Sequence, residues 1–199
     1  MKRRKDPALV KERHAAADAA EVLEAAARSL SGAPRSKRSL AERLIAAGYP
    51  EAHVTAATDR LEAVGIIDDE RLARSLVESR DRSRQRGDRA LVEELRRRGV
   101  PDDVAARVLA RRADEAASDA TREGESTPLK AEERAAYAAA AKVRLRGGNV
   151  RAEVLRVVQA LGRRGFPPGL SWRVARERVE GAGEDQRTLP APEDVQGDV

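Results

Sequence analysis

Apolar residues recur along this chain at helical spacing, in short blocks closed by glycine and proline. Alanine-rich sequence from Leu9 leads into Leu23, Ala26, Ala27 and Leu30, which hold one helix face up to Gly32. Leu40, Leu44 and Ile45 point inward from a short helix over residues 36–47. Val54, Ala57, Leu61 and Val64 mark a third helix that ends at Gly65. The unit then repeats. Leu72, Ala73, Leu76 and Val77 stripe a helix from Asp69 to about Arg84, Leu91 and Leu95 a short one over residues 89–98, and Val104, Ala105, Val108 and Leu109 a third. A last copy reads Glu132 to Arg146, then Val150 to Arg164 with Val154, Val157, Val158 and Leu161, then a helix carrying Val174 and Val179. Gly169 and Ser171 are poor helix formers, so this final helix is expected to start late, with Ser171 as its cap.

The punctuation between second and third helices is the strongest sign of repetition. Leu44-x3-Gly48-Tyr49-Pro50, Leu95-x3-Gly99-Val100-Pro101 and Leu161-x3-Gly165-Phe166-Pro167 share leucine, glycine, an apolar residue and proline at equal spacing. Glycine closes a helix in the left-handed conformation, the apolar residue folds back on the last turn, and proline opens the next helix. The glycines stand 51 and then 66 residues apart. The extra length falls in the acidic run Asp114 to Pro128, read as a linker.

Asp68 or Asp69 suits a helix start, where a carboxylate accepts from free amides and meets the positive end of the helix dipole. Together with the preceding isoleucine pair, Leu72-Ala73, Val77, Arg80, Gly87, Leu91, Glu94-Leu95 and Arg98-Gly99-Val100, these residues resemble the central module of the RecX family. An aromatic usually stands where this chain has Leu72, so a smaller core contact is expected there. The resemblance extends over roughly residues 22–180, through Arg35-Ser36, Glu42 and Leu44 in the first unit and Ala160 to Phe166 in the third. It implies an all-α fold of three tandem three-helix repeats, helix-turn-helix-like, in an elongated, curved arrangement. The expected organisation is a basic disordered tail over 1–8, repeats over 9–67, 68–113 and 131–181, an acidic linker over 114–130 and an acidic disordered tail over 182–199.

Composition agrees with helices. Charged residues make up 37% and aromatics 2% of the 199 residues, so Ala, Leu and Val must do nearly all the packing. No run approaches the roughly 20 apolar residues of a membrane span, and the basic N-terminus has no apolar stretch behind it. A cytoplasmic protein, neither exported nor membrane-bound, is expected. The chain has no cysteine, which removes disulfides and thiolate metal ligands.

Few residues invite catalysis. His14 and His53 have no partner at ligand spacing and are expected at the surface. Asp68, Asp69 and Glu70 point in different directions on a helix, so capping explains them better than a metal does. Gly147-Gly148 lacks the lysine and hydroxyl of a P-loop and reads as a turn. The chain is therefore expected to be no enzyme and to need no cofactor.

Charge distribution says more than the net +5. Arg80, Arg82, Arg84 and Arg86 alternate. On a straight helix they would splay around the axis, whereas fraying near Ser83 would make them a flexible comb. A solvated run offset by Glu78, Asp81 and Asp88 is the other reading. Lys142, Arg144, Arg146, Arg151, Arg156, Arg163 and Arg164 form a second basic set against one acid, Glu153. The candidate nucleic-acid or filament contacts are Arg80, Arg82, Arg84, Arg86, Lys142, Arg144, Arg146, Arg151, Arg163 and Arg164. With so few aromatics for stacking, single-stranded DNA would be held weakly and through phosphates.

RecX proteins regulate the bacterial RecA recombinase. The resemblance implies a protein that lies in the groove of the RecA filament on single-stranded DNA, limiting its growth or promoting its disassembly and so lowering ATP hydrolysis, strand exchange and co-protease activity; a monomer is expected. Two other readings stay open: a sequence-tolerant helical DNA-binding or transcription-regulating protein that needs no recombinase, and a scaffold with protein partners only.

Overall fold

A computed structural model describes residues 7–122, 130–147 and 149–188. Among them the secondary structure is helical throughout: α1 Pro7–Ala15, α2 Ala19–Gly32, α3 Lys37–Ala46, α4 Glu51–Ala63, α5 Asp69–Ser83, α6 Asp88–Arg97, α7 Asp102–Arg122, α8 Ala131–Ala141, α9 Val150–Gly162 and α10 Pro168–Thr188. The fold is all-α, built from tandem helical repeats. The chain divides into two compact units, Met1–Ser79 with Val92–Arg111, and Arg80–Leu91 with Arg112–Val199. The unit boundaries fall inside α5, α6 and α7, so each helix of the central repeat contributes to both.

In the first unit α2, α3 and α4 pack on one another around Val22, Ala26, Leu40, Leu44, Val54, Ala57 and Leu61, with Ala17 and Ile67 closing the ends. Each large aliphatic side chain so buried stabilises the fold by roughly 1.5–3 kcal/mol. In the second, α10 packs against α8 and α9. Ala135, Ala136, Ala139 and Ala140 of α8 form a stripe without bulk, which lets neighbouring helices approach Val154, Val157, Leu161, Phe166, Val174 and Val179 closely.

The predicted stripes hold with local exceptions. Ile45 (43% exposed), Val64 (63%) and Ala27 face solvent where inward positions were expected, and Thr58 is buried in Val64's stead. Leu72 is half-buried. The alanine-rich first stretch is two helices, because Asp18 forms a capping box with Glu21: its carboxylate accepts from the amides of Ala20 and Glu21, and Glu21 accepts from Asp18. The last helix does not start late. It begins at Pro168, whose fixed φ suits a first helical position, and Ser171 lies buried inside it, its amide bonded to the Pro167 carbonyl. α8 stops at Ala141, short of the expected Arg146, so Lys142, Arg144 and Arg146 sit in the connection to α9. α7 runs to Arg122 and α10 to Thr188, through the first parts of the segments read as linker and tail. Residues 1–6, 123–129 and 189–199 of the expected tails and linker lie outside the described residues.

The three glycine turns share one geometry. Gly48, Gly99 and Gly165 have φ of +99°, +77° and +85°. The following amides, Tyr49, Val100 and Phe166, donate back to the carbonyls of Leu44, Leu95 and Leu161 at 3.2, 3.1 and 3.3 Å, the six-to-one bond of a left-handed helix end. Counting back from each glycine fixes the register of the preceding helix. Leu40, Leu91 and Val157 stand eight residues before it and are fully buried, and Leu44, Leu95 and Leu161 stand four before it.

The turns also form the joints between repeats. The carbonyl just before each glycine accepts a bond from the preceding element: Arg98 from the Ser36 hydroxyl at 2.6 Å, and Arg164 from the Gly87 amide at 3.0 Å. Ser36 and Gly87 are the residues that open the short second helices of repeats 1 and 2. Gly99 and Gly165 then press on the first turns of those helices, so that a Cβ would come within 2.6 Å of Ser36 Oγ and of Ala90 Cβ respectively. A second bond reinforces each joint. The first helical amides, Lys37 and Asp88, donate to Asp69 at 3.0 Å and to Glu132 at 2.9 Å, carboxylates at the start of the following repeat's first helix. Burial holds both carboxyls above their ordinary values, and the bonded amides oppose it. Asp68, not Asp69, caps α5, accepting from the Arg71 amide at 2.8 Å.

At the N-terminal end α1 takes the place of a preceding repeat. His14 Nδ1 donates to the carbonyl of Ala47, the residue before Gly48, at 2.7 Å, and its ring stacks on Tyr49 at 4.1 Å. His53 Nδ1 lies 3.1 Å from the Ala17 carbonyl. Both histidines are therefore half-buried fastenings between segments and not the surface residues expected, since only tertiary packing brings these carbonyls to them.

Candidate nucleic-acid interface

All ten basic residues singled out from the sequence fall in the second unit. Arg80 and Arg82 lie in the last turn of α5, Arg84 just beyond its end and Arg86 before α6. The helix does end at Ser83, and Gln85 follows with φ of +40°, its amide bonded to the Arg80 carbonyl. Arg82 and Arg84 are exposed, while Arg80 and Arg86 are half-buried.

Two of the three acids that could have neutralised this run, Asp81 and Asp88, are held by Arg112. Arg112, with its side chain only 10% exposed, grips Asp81 through Nε at 2.9 Å and Nη2 at 2.8 Å, and reaches Asp88 through Nη1 at 2.5 Å. A planar guanidinium suits this two-pronged contact. Burial pushes the Asp88 carboxyl up, against the pull of Arg112. Arg82 and Arg84 have no ion pair among the described residues.

Four residues of the second basic set, Arg144, Arg146, Arg156 and Arg163, line a cleft of about 570 Å3 together with Val143, Leu145 and Ala160. Asn149 caps α9 by accepting from the Arg151 amide at 2.8 Å, and the irregular segment from Lys142 to Gly147 lies alongside. Glu153, buried, anchors that segment: its Oε1 accepts from the Arg146 amide at 3.3 Å, and its Oε2 accepts from the Arg156 guanidinium. The side chains of Arg144, Arg146 and Arg163 are exposed and unpaired among the described residues. Clustered arginines in an open cleft can bind the oxygens of several phosphates, or of carboxylates.

The structure joins the two basic segments at the backbone. Gly87, next to Arg86, donates its amide to the Arg164 carbonyl, and Lys142 Nζ donates to the Gln85 side chain at 2.7 Å. Lys142 thus fastens the turn after α5 instead of standing free. Arg151 is exposed at the start of α9, outside the cleft lining. Arg156 belongs to the cleft although sequence reading left it out of the site. Its pairing with Glu153 three residues earlier was the available signal. Nothing local to Arg112 announced its role.

Among the described residues no three His, Cys, Asp or Glu side chains group as a metal site, and no helix is long and apolar enough to cross a membrane.

Comparison with known proteins agrees with this architecture. Residues 68–109 match the family model for the second three-helix domain of RecX. The regulatory protein RecX of Thermobifida fusca is 34% identical over 167 residues, 84% of this chain and 83% of that protein. That of Streptomyces coelicolor is 37% identical over 163 residues, 81% and 79% of the two chains. The crystal structure of RecX from Lactobacillus salivarius superposes with a TM-score of 0.66 at 18% identity, covering 80% of this chain and 96% of that one. A second regulatory protein RecX superposes at 0.63 and 20% identity, covering 78% and 72%. Sequence similarity across most of the chain and a shared repeat fold together make it a member of the RecX family of regulatory proteins.

Proposed function

We propose that this protein is a non-catalytic, monomeric regulator of the RecA recombinase in the cytoplasm. It binds in the groove of the RecA filament on single-stranded DNA and restrains filament extension, lowering ATP hydrolysis, strand exchange and co-protease activity, with consequences for DNA repair and the SOS response. Its contact with the enclosed strand is weak and made to phosphates, through Arg144, Arg146 and Arg163 around the cleft and through Arg82 and Arg84. Family membership supports the regulatory role. The observation that carries the DNA contact is charge left uncompensated: Asp81 and Asp88 are consumed by Arg112, and Glu153 by Arg156 and a backbone amide. Many weak contacts along a repeating polymer add through effective concentration, so modest affinity per contact is sufficient.

The test is RecA-dependent ATP hydrolysis on single-stranded DNA with substoichiometric protein added. Hydrolysis falls at low ratios if the proposal holds. Unchanged hydrolysis with firm DNA retention by the protein alone would instead identify a helix-turn-helix-like DNA binder that needs no recombinase.

A further inference from the structure

The register set by the glycine turns places Glu153 where the helix-opening residues stand in the other repeats. Ser36 precedes Gly48, Gly87 precedes Gly99, and Glu153 precedes Gly165, by twelve residues in each case. Likewise Ser39, Ala90 and Arg156 all stand nine before their glycine. In repeats 1 and 2 this is the face on which the next repeat sits, Gly99 against Ser36 and Ser39, Gly165 against Ala90. Repeat 3 has no successor among the described residues, and its second helix differs there. α9 begins about a turn earlier, at Val150, and has 13 residues against ten in α3 and α6. A buried glutamate replaces serine or glycine, and an arginine replaces the small residue that receives the turn. Arg156, Ala160 and Arg163 follow one another along this face and line the basic cleft.

The chemistry of the position is kept while its partner changes. At both filled joints the start of the second helix offers donors to oxygen: Ser36 Oγ and the Lys37 amide to Arg98 O and Asp69, the Gly87 and Asp88 amides to Arg164 O and Glu132. In repeat 3 the donors at this face are guanidiniums. Glu153 fixes two parts of that set, the backbone at Arg146 and the guanidinium of Arg156.

We infer that the basic cleft occupies the position which in repeats 1 and 2 receives the following turn, and that Glu153 is a positioning residue that holds Arg146 and Arg156 for the phosphate oxygens of single-stranded DNA. This rests on the proposed contact with DNA and deepens it. A fixed arginine loses less conformational freedom on binding than a mobile one, so a buried carboxylate in a basic cleft can raise affinity for an anion. Its charge alone would do the opposite.

That opposition of sign provides the test. Binding of fluorescent oligo(dT) is measured at several salt concentrations for the full-length protein and for Glu153→Ala, Glu153→Gln and Arg156→Ala, with helix content checked by circular dichroism. Removing a negative charge tightens binding if Glu153 acts through charge alone. The positioning role instead predicts that Glu153→Ala weakens binding roughly tenfold, about the size of one charge-assisted contact, and flattens its salt dependence. Glu153→Gln, which can still accept the Arg146 amide, then falls between. Should Glu153→Ala not fold, the glutamine and Arg156→Ala variants carry the test, both weakening binding. Unchanged or tighter binding in the folded variants overturns the inference. So does loss of binding to a polyglutamate peptide with oligo(dT) binding intact, which assigns the cleft to an acidic protein segment. A wild-type protein that retains no oligo(dT) at low salt would sink the DNA reading itself.

Discussion

Ser36 and Arg98, 62 positions apart, meet through a hydrogen bond of 2.6 Å from hydroxyl to carbonyl, and the same hydroxyl accepts the Ser39 amide that opens α3. One buried oxygen thus caps a helix and fastens the next repeat to it. In the following joint Gly87 supplies only its amide, because there the helix start has no side chain. The joint is a backbone device first, and side chains adjust it.

Gly99→Ala should be far more damaging than Gly65→Ala. Both glycines have positive φ, +77° and +71°, so each substitution incurs about 1–2 kcal/mol of backbone strain. A Cβ at Gly65 meets open space, whereas one at Gly99 meets Ser36 Oγ at 2.6 Å and the Ser39 amide at 3.2 Å. Urea unfolding should give a total loss of about 2–4 kcal/mol for Gly99→Ala. Equal losses for the two variants would mean that the joint yields freely.

Arg112→Met should cost about 1–3 kcal/mol, discounted because Asp81 and Asp88 remain 35% and 42% exposed. The freed carboxylates can then swing toward Arg82 and Arg84. Weakened oligo(dT) binding by a folded Arg112→Met protein, without any change in the comb itself, checks whether Arg112 keeps those arginines available.

Asp69→Asn gives a pH signature. Burial raises the folded-state value of Asp69 above 3.8, so the native state holds this proton more tightly than the unfolded chain does. The ionised carboxylate is a cost at neutral pH that is relieved as pH falls through the raised value toward the ordinary one. Asparagine, which can still accept the Lys37 amide, has no such titration. The stability of wild type relative to Asp69→Asn should therefore rise on acidification, measured by urea midpoints at neutral pH and near pH ~4. A fall would reverse the assigned direction.

Replacing Arg144, Arg146 and Arg163 together by alanine should weaken inhibition of RecA ATP hydrolysis and lower the salt slope of oligo(dT) binding by up to about 2, at roughly 0.7 per phosphate contact. Helix content should not change, since all three are exposed and none lies within the body of a helix. Inhibition that survives intact would move the contact to Arg82 and Arg84.

Helix existence and repeat register were legible along the chain, because both depend on local spacing. Leu40, Leu91 and Val157, eight residues before their glycines, recur whatever surrounds them. The glycine turns carried their own geometry for the same reason: positive φ is a property of the residue that adopts it. Exposure of Ile45 and Val64 was not legible, since an apolar residue at the edge of a stripe is buried only if another element reaches it. The break at Asp18 was available in the capping box it forms with Glu21, but alanine on both sides masked it.

The basic site divides along the same line. Sequence alone determined that Arg80 to Arg86 carry positive charge interleaved with Glu78, Asp81 and Asp88, and that Lys142 to Arg164 carry it against Glu153 alone. Only the tertiary structure decided which charges are spent. Arg112, 24 residues beyond Asp88 and 31 beyond Asp81, removes both acids from the comb, and Lys142 is diverted to Gln85. Arg156 is the local exception, paired with Glu153 only three residues earlier. Hydrophobic period and glycine conformation act over a few residues and can be read from them. Charge compensation acts through space, so it depends on which distant side chains the fold brings within hydrogen-bonding distance.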